Sequence, residues 1–372
     1  MIMDGNKNIL LYPLSLIYGA VTDFRNFLYN TGILHHHEFR LPIICVGNIS
    51  VGGTGKTPHT EYLVDLLGKN FRVATLSRGY MRKSKGFRIA SSSSEVSEIG
   101  DEPLQIYKKY PDITVAVDRN RVNGVYSILK EHPETEVIIL DDGFQHRSIK
   151  PGFTILLTDF GRLMINDHLL PYGRLRERAS NMNRADIIII TKSPQNISPI
   201  QRRIIVKEIN KAPYQNLYFT SLEYKDPLPV FAQQADFKLP IPGQMKDRTG
   251  IVLLTGIANP LPLKNYLSGC FNEIIHLSFP DHHKFTEKDI AKVSGAFLNL
   301  VSEEKFLFTT EKDAVRLREF TNIAEQIRSS AYYIPVGINF LNDDKVEFDN
   351  LIIDYVRKNK RNDRISESQR LQ

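Results

Sequence analysis

Between Ser50 and Pro58 the chain reads SVGGTGKTP. Gly52, Gly53 and Gly55 surround Thr54, and Lys56 and Thr57 follow directly. Glycines let backbone N–H groups approach phosphate oxygens without a side chain in the way. A lysine placed next reaches the outer phosphates of a nucleoside triphosphate, and a threonine hydroxyl is a ligand for Mg²⁺. The standard spacing has glycine at position 50, where Ser50 stands. A Cβ is tolerated there if φ is negative. A working loop of this kind needs a buried strand before it and a helix after it, and PIICVGN and PHTEYLVDLL supply both. The helix start adds a favourable positive dipole end. An incidental Gly-Lys-Thr in a glycine-rich turn is the plain alternative, but the triplet falls on the helix start, where the mechanism requires it. A metal-bound triphosphate also wants a carboxylate at the end of a second buried strand. EVIILDDGFQH offers Asp141 and Asp142 there. GTP-binding proteins of this type read guanine with Asn-Lys-x-Asp after a late strand. Here the place after ADIIII reads Thr191-Lys192-Ser193-Pro194, without the carboxylate, so the nucleotide expected is ATP.

These residues must be held by a larger frame. A chain of 372 residues suits two domains, and 42% hydrophobic with 24% charged residues is the profile of a protein with real cores. The net charge of +6 is partly spent in RKNKRNDR near the end. It is compatible with an anionic substrate or a membrane surface and too mild to argue for nucleic acid. Two distant cysteines, Cys45 and Cys270, exclude a disulfide framework and argue against a metal cluster. From residue 41 onward, LPIICVGN, FRVATLSRG, ITVAVD, EVIILDD, FTILLTD and ADIIIITK are apolar runs separated by helical patterns. Several do not alternate, as expected for strands of a parallel sheet covered on both faces. The fold class expected is α/β: a P-loop NTPase-like parallel sheet domain, a short β linker, and a second, smaller α/β domain. In the second domain GIVLLTGIANP starts a strand–turn–helix unit, and a helix begins at Glu287 with Thr286 as cap and Asp289 facing back. The division expected is an amphipathic helix over 1–30, the nucleotide domain over 31–225, the linker over 226–248, the smaller domain over 249–345, and a helix with a basic tail over 346–372. In the first segment Leu10, Leu14, Ile17, Val21, Phe24 and Leu28 recur at helical spacing. The uncharged part is too short to span a bilayer comfortably, and it lacks the ends of a cleaved signal. Periodicity alone favours a helix packed on its own domain over one lying in the headgroup region of a membrane.

Further polar clusters ask for a role. They are Asp101 and Glu102 in IGDEPLQIY, Asp118, Arg119 and Arg121 in VDRNRVNG, Arg174 and Arg176 in LLPYGRLRERAS, and Asp281, His282 and His283 in FPDHHKFT. Singly, each reads as a cap, a surface salt bridge or a loop. The residues by themselves stop at an Mg-ATP site plus a second domain. Another P-loop small-molecule kinase, or a nucleotide-dependent switch protein of the same fold, stays open at this point.

Taken in order, GNISVGGTGKTP, LSRGY, GDEP, LDDGFQH, LLPYGRLRE, TGIANP, FPDHHKFT and TTEKDAVR resemble the signature blocks of the tetraacyldisaccharide 4′-kinase family. The likeness runs from the first helix to about Pro335. It implies two α/β domains that close around ATP, and transfer of the γ-phosphate to the 4′-hydroxyl of a tetraacylated glucosamine disaccharide 1-phosphate. The product is lipid IVA, a lipid A precursor. The resemblance carries the catalytic carboxylate onto Asp101, its partner histidine onto His282, and phosphate binding onto Gly52, Gly53, Thr54, Gly55, Lys56 and Thr57. It implies Mg²⁺ at Thr57 with Glu102, Asp141 and Asp142. Arg119, Arg121 and Arg176 are suited to the acceptor's 1-phosphate by bidentate contact. A lipid substrate also turns Leu10, Leu14, Ile17 and Phe24 into a membrane face on the cytoplasmic side of the inner membrane, peripheral or monotopic. A monomer without a nucleic-acid partner is expected.

Overall fold

Runs such as IICVGN and VIILD have no polar alternation because both faces of their sheet are covered. Ile44 and Val46 point into one core with Leu63, Val64 and Leu67 of the helix that follows the glycine loop. Ile43 and Cys45 point into another with Leu76, Ile138 and Leu140. The computed structural model describes residues 9–231 and 248–370. Its strands are β1 (Ile43–Asn48), β2 (Val73–Ser77), β3 (Arg88–Ile89), β4 (Thr114–Val117), β5 (Val137–Asp141), β6 (Phe153–Asp159), β7 (Ile187–Thr191), β8 (Asn216–Tyr224), β9 (Leu228–Pro229), β10 (Thr249–Thr255), β11 (Glu273–Ser278), β12 (Glu304–Thr310), β13 (Ala331–Ile334) and β14 (Val336–Phe340). Its helices are α1 (Tyr12–Asn30), α2 (Lys56–Gly68), α3 (Val96–Ile99), α4 (Asp101–Lys109), α5 (Arg121–Glu131), α6 (Pro199–Ile209), α7 (Leu261–Ser268), α8 (Glu287–Asn299), α9 (Glu311–Leu317), α10 (Glu325–Ser329) and α11 (Lys345–Arg370).

The chain forms two units. The first takes the chain up to Ile99, Ile106–Leu222, and the chain from Ile338 onward. Its sheet has the order β14-β8-β7-β6-β1-β5-β2-β4-β3. Strand β1 sits inside it, parallel to both β5 and β6. The register pairs Val46 with Asp141, so the acidic strand end lies level with the residues entering the glycine loop. The second unit takes Gly100–Gln105 and Glu223–Gly337. Its sheet has the order β11-β10-β12-β13-β9, parallel except for β9. Val252 and Leu254 face one core with Val293 and Phe297 of α8, and Ile251 and Leu253 face another with Phe271 and Phe308. The cap expected at Thr286 is present, with the Thr286 amide donating to Asp289 at 3.1 Å. Most of the linker expected over 226–248 lies outside the described residues, as do residues 1–8 of the first segment and the side chains at the end of the basic tail.

Helix α1 corrects the packed-stripe expectation. Its apolar stripe is not the packed face. Leu10, Leu14, Ile17, Val21 and Phe24 are exposed, Ile17 and Phe24 each by 63%. The helix docks on the first unit through small and polar residues instead. Ser15 donates to the Leu169 carbonyl at 2.8 Å, Tyr18 to the Arg176 carbonyl at 2.9 Å, and Asn26 to Glu177 at 3.3 Å. Gly19 packs so closely on Leu169 that an added Cβ would stand 2.7 Å from its side chain. Among the described residues no helix is long and apolar enough to cross a membrane.

Candidate active site

Strand β1 delivers the chain into the glycine loop and α2 carries it away. Gly52 (φ 114°) and Gly55 (φ 85°) adopt left-handed backbone that a side chain would resist. Ser50 is not among the residues with positive φ, so its Cβ brings no strain. It pairs in an antiparallel bridge with Leu175. Around that bridge the Val51 amide donates to the Arg174 carbonyl at 2.8 Å and the Arg176 amide to the Ile49 carbonyl at 2.7 Å. The LLPYGRLRE segment therefore braces the entry to the loop. Inside it the Asn48 amide nitrogen donates to the Thr54 hydroxyl at 2.8 Å.

The Lys56 ammonium lies 3.5 Å from Asn48 Oδ1 and 3.7 Å from Asp142. Asp142 also receives Arg176 at 3.3 Å. Burial pushes the Asp142 carboxyl up, but Lys56 and Arg176 outweigh it and hold the group below its ordinary value. Asp141 accepts from the Thr60 hydroxyl at 3.1 Å, one turn along α2 from Thr57. Buried His59 is pulled down to about 4 by desolvation, so its ring stays neutral. One ring nitrogen bonds the Gly55 carbonyl at 2.7 Å and the other the Thr220 hydroxyl at 3.0 Å.

The three arginines expected at the acceptor phosphate fall in different settings. Arg119 is exposed. Arg176 is half-buried against Asp142 and Gln145. Arg121 is only 1% exposed, and it donates to the Asp118 carbonyl at 2.6 Å. Desolvation drags its guanidinium down to about 10.

In the second unit two distant segments, around His282 and over residues 312–316, meet Asp101, which is 4% exposed. A His282 ring nitrogen lies 3.1 Å from Asp101 Oδ2, although 181 residues separate the two. Arg316 donates to the same oxygen, and the Glu102 amide donates to Oδ1 at 3.0 Å. The other His282 nitrogen lies 3.1 Å from the Lys312 ammonium. Lys312 also meets Asp281 at 3.3 Å, Glu102 at 3.5 Å and Asp101 at 3.7 Å. Burial pushes the Asp101 carboxyl up, but the His282 hydrogen bond and the charges of Lys312 and Arg316 prevail, leaving it well below the usual carboxylate range. Arg316 is itself aimed by Asp313 at 2.9 Å, and Asp313 accepts from the Gly256 amide at 2.8 Å. His282 holds φ 58°, a left-handed turn that separates it from its neighbour. His283 points instead to Asp289 at 3.0 Å and stacks on Phe279.

Thus Lys56, Thr57, Asp141 and Asp142 share the first unit, and Asp101, Glu102 and His282 share the second. Among the described residues no group of three or more His, Cys, Asp or Glu side chains is poised to hold a metal ion. Mg²⁺ in phosphate sites does not require one, since it keeps waters and phosphate oxygens with one or two carboxylates. Asp142 beside the Lys56 ammonium, the neighbouring Asp141 and the Thr57 hydroxyl at the start of α2 supply donors of the kind that need calls for.

The family model described as Tetraacyldisaccharide-1-P 4′-kinase (LpxK) matches residues 7–357. The chain belongs to the tetraacyldisaccharide 4′-kinase family. It is 47% identical over 362 residues to the tetraacyldisaccharide 4′-kinase of Bacteroides thetaiotaomicron, covering 96% of this chain and 95% of that one. It is 42% identical over 350 residues to the enzyme of the same name from Flavobacterium johnsoniae, covering 94% and 97%. Among solved structures it is similar to the "apo" form of LpxK from Aquifex aeolicus in complex with ATP, with 29% identity, a TM-score of 0.71, and coverage of 93% and 98%.

The tetraacyldisaccharide 4′-kinase blocks sort by unit. GNISVGGTGKTP, LDDGFQH and LLPYGRLRE brace one another in the first. GDEP, FPDHHKFT and TTEKDAVR meet at Asp101 in the second, and Gly256 of TGIANP supports Asp313 behind Arg316. Sequence reasoning assigned no role to Lys312, Asp313 or Arg316. A signal was there: Lys312 and Arg316 stand at i and i+4 on a helix whose cap, Thr310, accepts the Asp313 amide at 3.1 Å. Spacing of that kind puts two cations on one face, but only the fold shows what they meet.

Proposed function

We propose that the protein transfers the γ-phosphate of ATP to the 4′-hydroxyl of a tetraacyldisaccharide 1-phosphate, yielding lipid IVA. The observation that carries this reading is the Asp101 cluster, built entirely from the family's blocks. Amides and the Lys56 ammonium of the glycine loop bind the triphosphate and offset its charge as transfer proceeds. Thr57, Asp141 and Asp142 would hold Mg²⁺, which when bound neutralises phosphate charge. Asp101 orients the acceptor hydroxyl and accepts its proton. Its low basicity suits a transition state in which bond making lags and the proton leaves late. His282 keeps the carboxylate aimed, and Lys312 on the far ring nitrogen selects the tautomer that donates to Asp101. Arg119 and Arg176 are the guanidiniums within reach of solvent for the acceptor's 1-phosphate. The direct test incubates the full chain with γ-labelled ATP, Mg²⁺ and the lipid disaccharide in micelles. Label should appear in the lipid and vanish on chelation. ATP hydrolysis without labelled lipid would refute the reading.

The same reading places the protein on the cytoplasmic face of the inner membrane. Helix α1 offers its apolar side outward while its polar side is occupied, which is the arrangement of an interfacial helix. Replacing Ile17 and Phe24 together by aspartate should weaken binding to anionic vesicles about a hundredfold, since two apolar side chains would no longer enter the lipid interface. Vesicle flotation unchanged by that pair would leave α1 without a membrane role.

A further inference from the structure

The carbonyls of the glycine loop are tied from behind. Lys192, the residue after β7, holds φ 55°, a left-handed conformation that lysine keeps only where its surroundings impose it. Its ammonium donates to the Gly53 carbonyl and, at 2.7 Å, to Asp159 Oδ2. Asp159 is itself fixed, because the Gly161 amide donates to its Oδ1 at 2.8 Å. Thr191, at the end of β7, donates its hydroxyl to the Thr54 carbonyl at 2.9 Å. His59 meets the Gly55 carbonyl at 2.7 Å. Three consecutive carbonyls therefore each meet a side chain.

A trans peptide points its C=O and its N–H in opposite directions. Tying the carbonyls of residues 53, 54 and 55 therefore sets the directions of the amides of Thr54, Gly55 and Lys56. The Gly55 and Lys56 amides stand at the start of α2, where unsatisfied N–H groups collect phosphate oxygens. The Thr54 amide itself donates to the Gly52 carbonyl at 3.0 Å, a bond within the loop. Glycines lose the most conformational freedom when ordered, so a loop rich in them gains most from such ties. Lys192 is the one tie of the three that comes with a counter-charge to anchor it.

We propose that Lys192, anchored by Asp159, is a positioning residue for the nucleotide, which buckles the loop through the Gly53 carbonyl and preorganises its amides for the triphosphate. This rests on the ATP reading given above. A rival role for the same ammonium is direct attraction of the phosphates. The two differ in what Asp159 does. As an anchor, its charge helps ATP bind; as a bystander near a polyanion, its charge hinders.

The test measures calorimetric affinity of the full chain for a non-hydrolysable ATP analogue with Mg²⁺. Lys192→Met should weaken it roughly tenfold, the scale of a charge-assisted hydrogen bond. Asp159→Asn should weaken it in the same direction. The double variant should bind no more weakly than Lys192→Met, because one linkage is broken in each case. Lys192→Arg should recover part of the loss, with the melting temperature and the KM for the lipid acceptor unmoved. Should Lys192→Met fail to fold, Asp159→Asn carries the test, since it leaves every donor to the loop in place. Wild-type affinity in Lys192→Met, or tighter binding in Asp159→Asn, overturns the proposal. A wild-type chain that does not bind the analogue overturns the ATP reading itself and the proposal with it.

Discussion

Asp101→Asn is expected to lower kcat about a thousandfold, within the range for loss of a positioned proton acceptor, while nucleotide affinity stays near wild type. Asparagine keeps the shape and removes the charge. Its amide then presents a donor or a weak acceptor to Arg316 and His282, both of which require a carboxylate. The loss separates from simple unfolding because the two measurements read different units: the glycine loop belongs to the first and Asp101 to the second. His282→Ala should fall in the same direction, whereas His283→Ala should mainly lower the melting temperature, since His283 serves the Asp289 cap. A single-turnover rate for Asp101→Asn within about tenfold of wild type would remove Asp101 from the chemistry. The pH behaviour follows from the depressed carboxyl. Asp101 contributes stability above the ordinary aspartate value of about 3.9, and that contribution fades as pH drops through its lower folded value. It therefore supplies no limb to the rate profile near neutrality.

Lys56→Met should cost roughly 10²–10³-fold in kcat, the scale of removing one preorganised donor from developing transition-state charge. The ammonium stands between Asn48 and Asp142, so its removal leaves Asp142 with Arg176 at 3.3 Å as remaining partner. Because that partner stays, the fold survives and the effect is read as chemistry. The check is the transfer rate at saturating ATP and lipid, together with thermal melting. A protein that melts normally and transfers phosphate at more than about a tenth of the normal rate would show that the loop lysine is not the group that meets the transferred phosphate.

Much of the nucleotide site was legible because it is local. A buried strand, three glycines and a helix start follow one another within a few residues, so the motif is read without knowing the distant contacts that brace it. The same holds for the Thr286 cap, where donor and acceptor are three residues apart. Other features were not legible. The spacing of Leu10, Leu14, Ile17, Val21 and Phe24 announced a stripe, but periodicity does not say what covers it. The small residues Ser15 and Gly19, which let α1 approach Leu169, carried the packing information instead. Arg121 looked like its neighbour Arg119, yet one is buried and the other exposed, because α5 begins at Arg121 and turns it inward. Choosing between His282 and His283 required the left-handed turn at His282.

The sequence alone determined the α/β class, the phosphate loop with its lysine and threonine, the acidic end of β5 and membership of a kinase family. Those follow from short-range spacing and from motifs whose chemistry is carried by residue type. Only the tertiary structure decided that six residues, Gly100–Gln105, group with the second unit, and that Arg316, Lys312 and His282 surround Asp101 there. It also decided that Lys192 grips the loop. Contacts between residues far apart in the chain depend on how sheets order their strands, and a linear pattern holds no record of that order.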